Sequence, residues 1–280
     1  MNRLILIGLA AITLTGCSLT GHLAKEGALS LTERNGREHF TLAGELPANF
    51  MLQATTKYAP LTPEHCKVYD YGLGREVMRD GYEQEETGYR DRPHEFKLKI
   101  PLNKSIGLCR MEAYQVSLLI RGRYGEKDWQ THRALGGIGI AATRPQGAPE
   151  FSADGVYTMR GYCTWLFQIN KLYLELGKAL SCSETDETWQ LDPDFGKRRS
   201  IGDTFGRDEL PGKTVYLDIR EYPEEQPFYS NSWIRFPSGW KLCQPKEGGW
   251  IGCQEPPVFK TFLMDGQECT VYPNCREQPE

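Results

Sequence analysis

Eight of the nine cysteines in this 280-residue chain fall between Cys66 and Cys275, and no other feature constrains its fold as much. They are Cys66, Cys109, Cys163, Cys182, Cys243, Cys253, Cys269 and Cys275. An even set with no CxxC pair reads as four disulfides made in an oxidising compartment. Sequential pairing is expected, because Cys243 and Cys253 flank the turn-rich Gln244, Pro245, Gly248 and Gly249, and Cys269 and Cys275 close a short loop through Pro273 and Asn274. Metal binding is the rival use of cysteine. The five histidines, His22, His39, His65, His94 and His132, are scattered without ligand spacing, so neither a metal nor a cofactor is expected.

The ninth cysteine, Cys17, has different surroundings. Arg3, an apolar run from Leu4 to Leu14 and then Thr15 and Gly16 form the three-part layout of a secretory signal over residues 1–16. The run is too short to span a bilayer, which takes about 20 apolar residues. Leu14-Thr15-Gly16-Cys17 resembles the lipobox of bacterial lipoproteins. That resemblance, confined to four residues, implies cleavage before Cys17 and thioether lipid on its sulfur. With Ser18 rather than aspartate next, it also implies sorting to the outer membrane, facing the periplasm. Buried acyl chain is worth about 0.8 kcal/mol per CH2, so several chains anchor a protein almost permanently.

Downstream, short alternating or β-branched runs at 96–100, 113–120, 172–176, 214–219 and 232–236 are separated by Gly, Pro and Asn, with almost no long helical stripe. This pattern predicts an all-β, sandwich-like fold. Segments 28–33 and 37–42 flank Asn35-Gly36, a dipeptide suited to a two-residue hairpin turn. The fold would then start near Gly27, leaving residues 17–26 as a tether of ~30 Å at most.

Residues 144–155 are rich in Pro, Gly and small side chains, as a linker between a 27–143 and a 156–280 β domain would be. Short matches at offsets of 114 to 119 residues suggest a tandem duplication: Phe40-Thr-Leu with Tyr157-Thr-Met, Cys66 with Cys182, 96–100 with 215–219, and Ile120-Arg121 with Ile234-Arg235.

Motifs that mark enzymes, the GxSxG elbow, the HExxH pair and the phosphate loop, are missing. Gly136-Gly-Ile-Gly reads as a strand packed closely on a neighbour rather than as a dinucleotide loop. Two long polar segments carry the candidate recognition residues. The first, 67–95, holds Tyr69, Tyr71, Tyr82, Glu83, Glu85, Glu86, Tyr89 and Arg90, with eight acids against five bases. The second, 183–213, holds Trp189, Phe195, Arg198 and Arg199. A third stretch, 221–231, places Glu224 and Glu225 between two prolines. Loops this long are commonly functional, and their Tyr, Arg and Gly content suits recognition. Short strands hidden in these segments are the alternative. Trp233 and Trp250 are expected in a disulfide-bonded core.

A net charge of -4 gives no basic footprint for nucleic acid. These readings point to a lipid-anchored protein that binds another protein, with an immunity protein against an envelope-directed toxin as the concrete case. A structural or assembly lipoprotein of the outer membrane or a secretion system, and an envelope hydrolase with a dispersed site, are the alternatives.

Overall fold

The computed structural model describes residues 26–170, 172, 175–249 and 251–277. The signal and lipobox with Cys17, Trp250, part of the 172–176 run and the Phe195 side chain lie outside them. Among the described residues the fold is nearly all β, with helix limited to the turn at 26–30 and to short 3-10 turns.

Ten strands build the main body: β1 (His39–Leu46), β2 (Phe50–Pro60), β3 (Gly81–Glu86), β4 (His94–Pro101), β5 (Cys109–Arg123), β6 (Thr131–Ala141), β7 (Val156–Asn170), β8 (Glu175–Glu184), β9 (Gly202–Gly206) and β10 (Thr214–Glu221). One sheet runs β3-β2-β5-β6-β9, with Asn103–Ile106 and Arg34–Asn35 added beside the start of β5. The other runs β4-β1-β10-β7-β8 and is extended by Phe262–Met264 and Gln267–Cys269.

Period-two patterning explains which residues enter the core. Strand β1 buries Phe40, Leu42 and Leu46 on one face. Along β5 the buried positions change phase, from Met111 and Ala113 to Val116, Leu118 and Ile120. The cause is a bulge: Tyr58 faces Ala113 while Lys57 faces Gln115, which leaves Tyr114 as the extra residue.

The strand pairing corrects the expected division at 144–155. Strand β10 pairs in parallel with β1, and β9 pairs in parallel with β6, so each sheet takes strands from both sides of that segment. One continuous core contains Leu42, Leu52, Leu118 and Ile120 together with Phe205, Val215, Leu217 and Ile219. Glycine makes both seams possible. A Cβ at Gly44 would lie 2.0 Å from the Leu217 carbonyl oxygen, and one at Gly202 would lie 2.3 Å from the Gly137 oxygen. The expected close packing of the Gly136 run is therefore present, against Ile201 and Gly202. The match of Ile120-Arg121 with Ile234-Arg235 has no common setting, since Ile120 is central in β5 whereas Ile234 lies in the small hairpin Trp233–Phe236 with Gly239–Leu242.

The Asn35-Gly36 hairpin is also corrected. Arg34–Asn35 pairs with Lys104 and Ser105 instead of with the following strand. Gly36 is required there for close approach, because its Cβ would meet that of Asn103 at 2.8 Å, and its N–H donates to the Asn103 carbonyl.

All four disulfides pair sequentially: Cys66 with Cys109, Cys163 with Cys182, Cys243 with Cys253, and Cys269 with Cys275. The last two staple a C-terminal module with its own core of Phe167, Trp233, Leu242, Phe262 and Tyr272, so Trp233 is a core residue as expected. Phe167 joins the two cores, because it lies on β7 two residues beyond Trp165 of the main core.

Candidate functional site

The residues singled out from sequence fall in three separate places. The 67–95 segment is mostly strand: a hairpin of Lys67–Asp70 with Arg75–Met78, then β3 at the sheet edge. Tyr71 sits at the hairpin tip with its ring 5.2 Å from Tyr69. In β3, Tyr82 is 72% exposed and Glu86 lies on the same outer face. Glu83 and Glu85 sit opposite the buried Thr56 and Ala54, so they turn inward. Asn35 and Tyr58 both donate to Glu83. Burial first, and the Glu83 charge second, raise the Glu85 carboxyl above the ordinary range. Inward charges on an edge strand oppose strand-to-strand association. Tyr89 lies partly buried under the Arg123 guanidinium, 5.1 Å from its ring centre, while Arg90 is exposed. Of the residues expected to serve recognition in this segment, Tyr71, Tyr82, Glu86 and Arg90 are the ones exposed to solvent.

Glu225 is structural. It forms an ion pair with Lys178 at 2.6 Å and accepts from the Tyr272 hydroxyl, which fastens the C-terminal module to β8. Glu224 pairs with Arg235 at 3.6 Å, and Gln226–Pro227 pairs with β7, so this stretch is tied down rather than free. Arg198 donates to the Asp192 carbonyl within its own loop.

A wide concavity among the described residues was not legible as a unit in the sequence. It is an open groove of about 860 Å³ between the start of β7, the end of β8 and the approach to β9. Glu150, Asp154, Glu184, Asp186, Glu187 and Asp203 line it with Arg160 and Arg199; Arg199 is paired with Glu184, and Arg144 reaches Glu150 at 3.5 Å. Its floor is aromatic: Tyr157 packs on Phe205 at 5.3 Å, Phe151 packs on Phe205 at 5.2 Å, and the Tyr157 hydroxyl donates to Asp203 at 2.6 Å.

The wall at 184–190 is held by its own contacts. Asp186 accepts from the Thr188 and Gln190 backbone N–H groups and from the Thr188 hydroxyl. Trp189 is held between the Tyr162 ring and the Arg220 guanidinium, which lies 3.6 Å from its ring centre. Preorganisation of this kind lowers the ordering cost of binding.

Three groove groups have shifted proton affinities, and all move away from neutrality. The Ser152 hydroxyl, first, lowers the Asp154 carboxyl, and the Gln190 N–H followed by Thr188 lowers that of Asp186. Burial, with Asp203 second, raises the Tyr157 hydroxyl far above the ordinary range. General acid-base catalysis works best with groups poised near the operating pH, and these three are shifted away from it.

Residues 150–154 of the expected linker form one side of this groove, and Arg199 and Asp203 come from the second polar segment. A Pro- and Gly-rich stretch looks like a spacer until its neighbours across the sheets are known. No family model, curated protein or solved structure matches the chain, so the functional reading rests on this geometry.

Proposed function

We propose that the chain is a lipid-anchored, periplasm-facing protein that binds a protein partner through the acidic groove, with an envelope-directed toxin as the concrete case. The observation that carries this reading is the groove itself, where six carboxylates face two guanidiniums over a preorganised wall. A wide polar groove suits a basic segment of another protein better than a small apolar ligand, which prefers an enclosed apolar pocket. The excess of acids over bases would attract such a segment and speed the encounter. Four disulfides and the lipobox-like Leu14-Thr15-Gly16-Cys17 support an envelope location.

A photo-crosslinking side chain at Asp154, exposed in the groove, tests the site in intact cells. Capture of a basic protein that weakens in high salt and disappears in Glu150→Lys/Glu187→Lys is the expected result. Capture unaffected by that double reversal would remove the groove from the proposal. Sensitisation of a deletion strain to an envelope toxin supports the immunity case, whereas envelope defects without any toxin would replace it with an assembly role.

A further inference from the structure

The first described residue, Glu26, is pinned at one end of the molecule, where its carboxylate pairs with Arg79. Several contacts gather exposed apolar tips around this point. Gly107 N–H donates to Thr32 Oγ1 at 2.7 Å, which places Leu31 beside the 107–108 turn. Thr62 Oγ1 donates to the Leu108 carbonyl and Leu61 N–H donates to that of Arg110, which brings Leu61 there too. The Cys66–Cys109 disulfide ties the 67–78 hairpin to the same turn, and Arg79 N–H donates to the Cys66 carbonyl.

The result is one end that presents Leu31 (88% exposed), Leu61, Met78 and Leu108 (74%), with the hairpin that carries Tyr71 and Leu73 (60%) rooted beside them. The hairpin tip holds a set shape, since Asp70 accepts from the Gly72 and Leu73 N–H groups at 2.8 and 3.0 Å. Clustered exposed apolar tips mark an interaction site rather than ordinary surface.

We infer that this end is a membrane-docking face, whose apolar tips seat at the boundary of headgroups and acyl chains. The inference rests on the lipid-anchor reading of Cys17. Only eight residues, 18–25, lie between Cys17 and Glu26, so their reach is ~30 Å at most and the tether delivers this end, before any other, to the bilayer. A tyrosine among leucines suits that interface, where its apolar ring and polar hydroxyl are both accommodated. Charges here are mixed, with Lys67, Arg75 and Arg110 against Glu64, Glu76 and Asp80, so attachment comes from apolar insertion and does not require anionic lipid. Anchored in this way, the domain holds one orientation rather than swinging on its tether.

The test uses mature protein purified from membranes, with mass spectrometry of acyl chains on Cys17 and leucine-methyl NMR in phosphatidylcholine nanodiscs carrying a nitroxide lipid. Leu135 is the control, being 66% exposed but paired beside Leu119, roughly 33 Å along β5 from Cys109. Acylated Cys17 with strong broadening at Leu31, Leu61, Leu73 and Leu108 but not at Leu135 is expected, and Leu73→Asp/Leu108→Asp should relieve it at Leu31 and Leu61. Acylated protein with equal broadening at Leu135, with none at the four leucines, or with broadening only when anionic lipid is added would overturn the docking face and leave the anchor standing. Shift changes at these leucines that follow protein concentration without nitroxide broadening would assign the face to a second copy and overturn it likewise. An unacylated Cys17 would remove the anchor and the docking face together.

Discussion

Replacing Gly44 with alanine tests whether the two halves of the chain form one folding unit. The new Cβ would sit 2.0 Å from the Leu217 carbonyl oxygen, against an ordinary contact of at least 3.4 Å. Strands β1 and β10 must therefore separate by about 1.4 Å at a parallel seam only five residue pairs long. Losing about two ladder hydrogen bonds at about 1 kcal/mol each, and leaving a buried carbonyl short of a donor, gives about 3 to 5 kcal/mol. Domains of this kind are stable by only about 5–15 kcal/mol, so the loss is a large fraction of the total. Urea unfolding with disulfides intact, followed by tryptophan fluorescence and circular dichroism, measures it. Gly27, which has nothing within 4 Å of its Cβ position and lies in the 26–30 turn of helix, is the control. Gly27→Ala should be neutral or stabilise by up to about 1 kcal/mol. The main core should unfold in one transition shifted to lower urea in Gly44→Ala. A loss below about 1 kcal/mol, or separate transitions for the regions before and after 144–155, would refute the shared-sheet argument.

Other consequences follow from particular contacts. Removing Cys66–Cys109, which closes 43 residues, should cost about 4 kcal/mol on the loop-entropy model, against about 2 for the six-residue Cys269–Cys275, as paired alanine variants would show in urea melts. Tyr272→Phe should cost about 1–2 kcal/mol, because Glu225 then loses one of its two partners, and hydrogen exchange should quicken in the C-terminal module ahead of β5. Burial first, then a carboxylate neighbour, raises the hydroxyls of Tyr58, Tyr157 and Tyr272 above their ordinary values in the fold. Their contribution is thus present below about pH 10, the unfolded value, and is lost as pH rises toward the folded values. In a titration at 295 nm these three should ionise late and together with unfolding; ionisation of all tyrosines near pH 10 with the fold intact would contradict this.

Local sequence determined the chemistry of each piece. Alternation at Phe40, Leu42 and Leu46 makes β1 a one-sided strand wherever it is placed, and the even set of cysteines pointed to four disulfides, whose sequential pairing only the turn residues within 243–253 and 269–275 suggested. The glycine run from Gly136 announced close packing, and Gly136 and Gly139 are where a side chain would collide with the neighbouring strand. The 67–95 segment misled, since charged edge strands such as β3 carry no apolar stripe and so resemble loops. Which strands meet was decided only in three dimensions. Pairing of β10 with β1 and of β9 with β6 depends on partners more than 60 residues away, and no local pattern encodes such a partner. The same long-range pairing turned a spacer-like stretch into the wall of the groove and brought acids from residues 150 to 203 into one field. Side-chain period and turn chemistry act within a few residues, whereas sheet order is selected by burying one common core, which requires the whole chain.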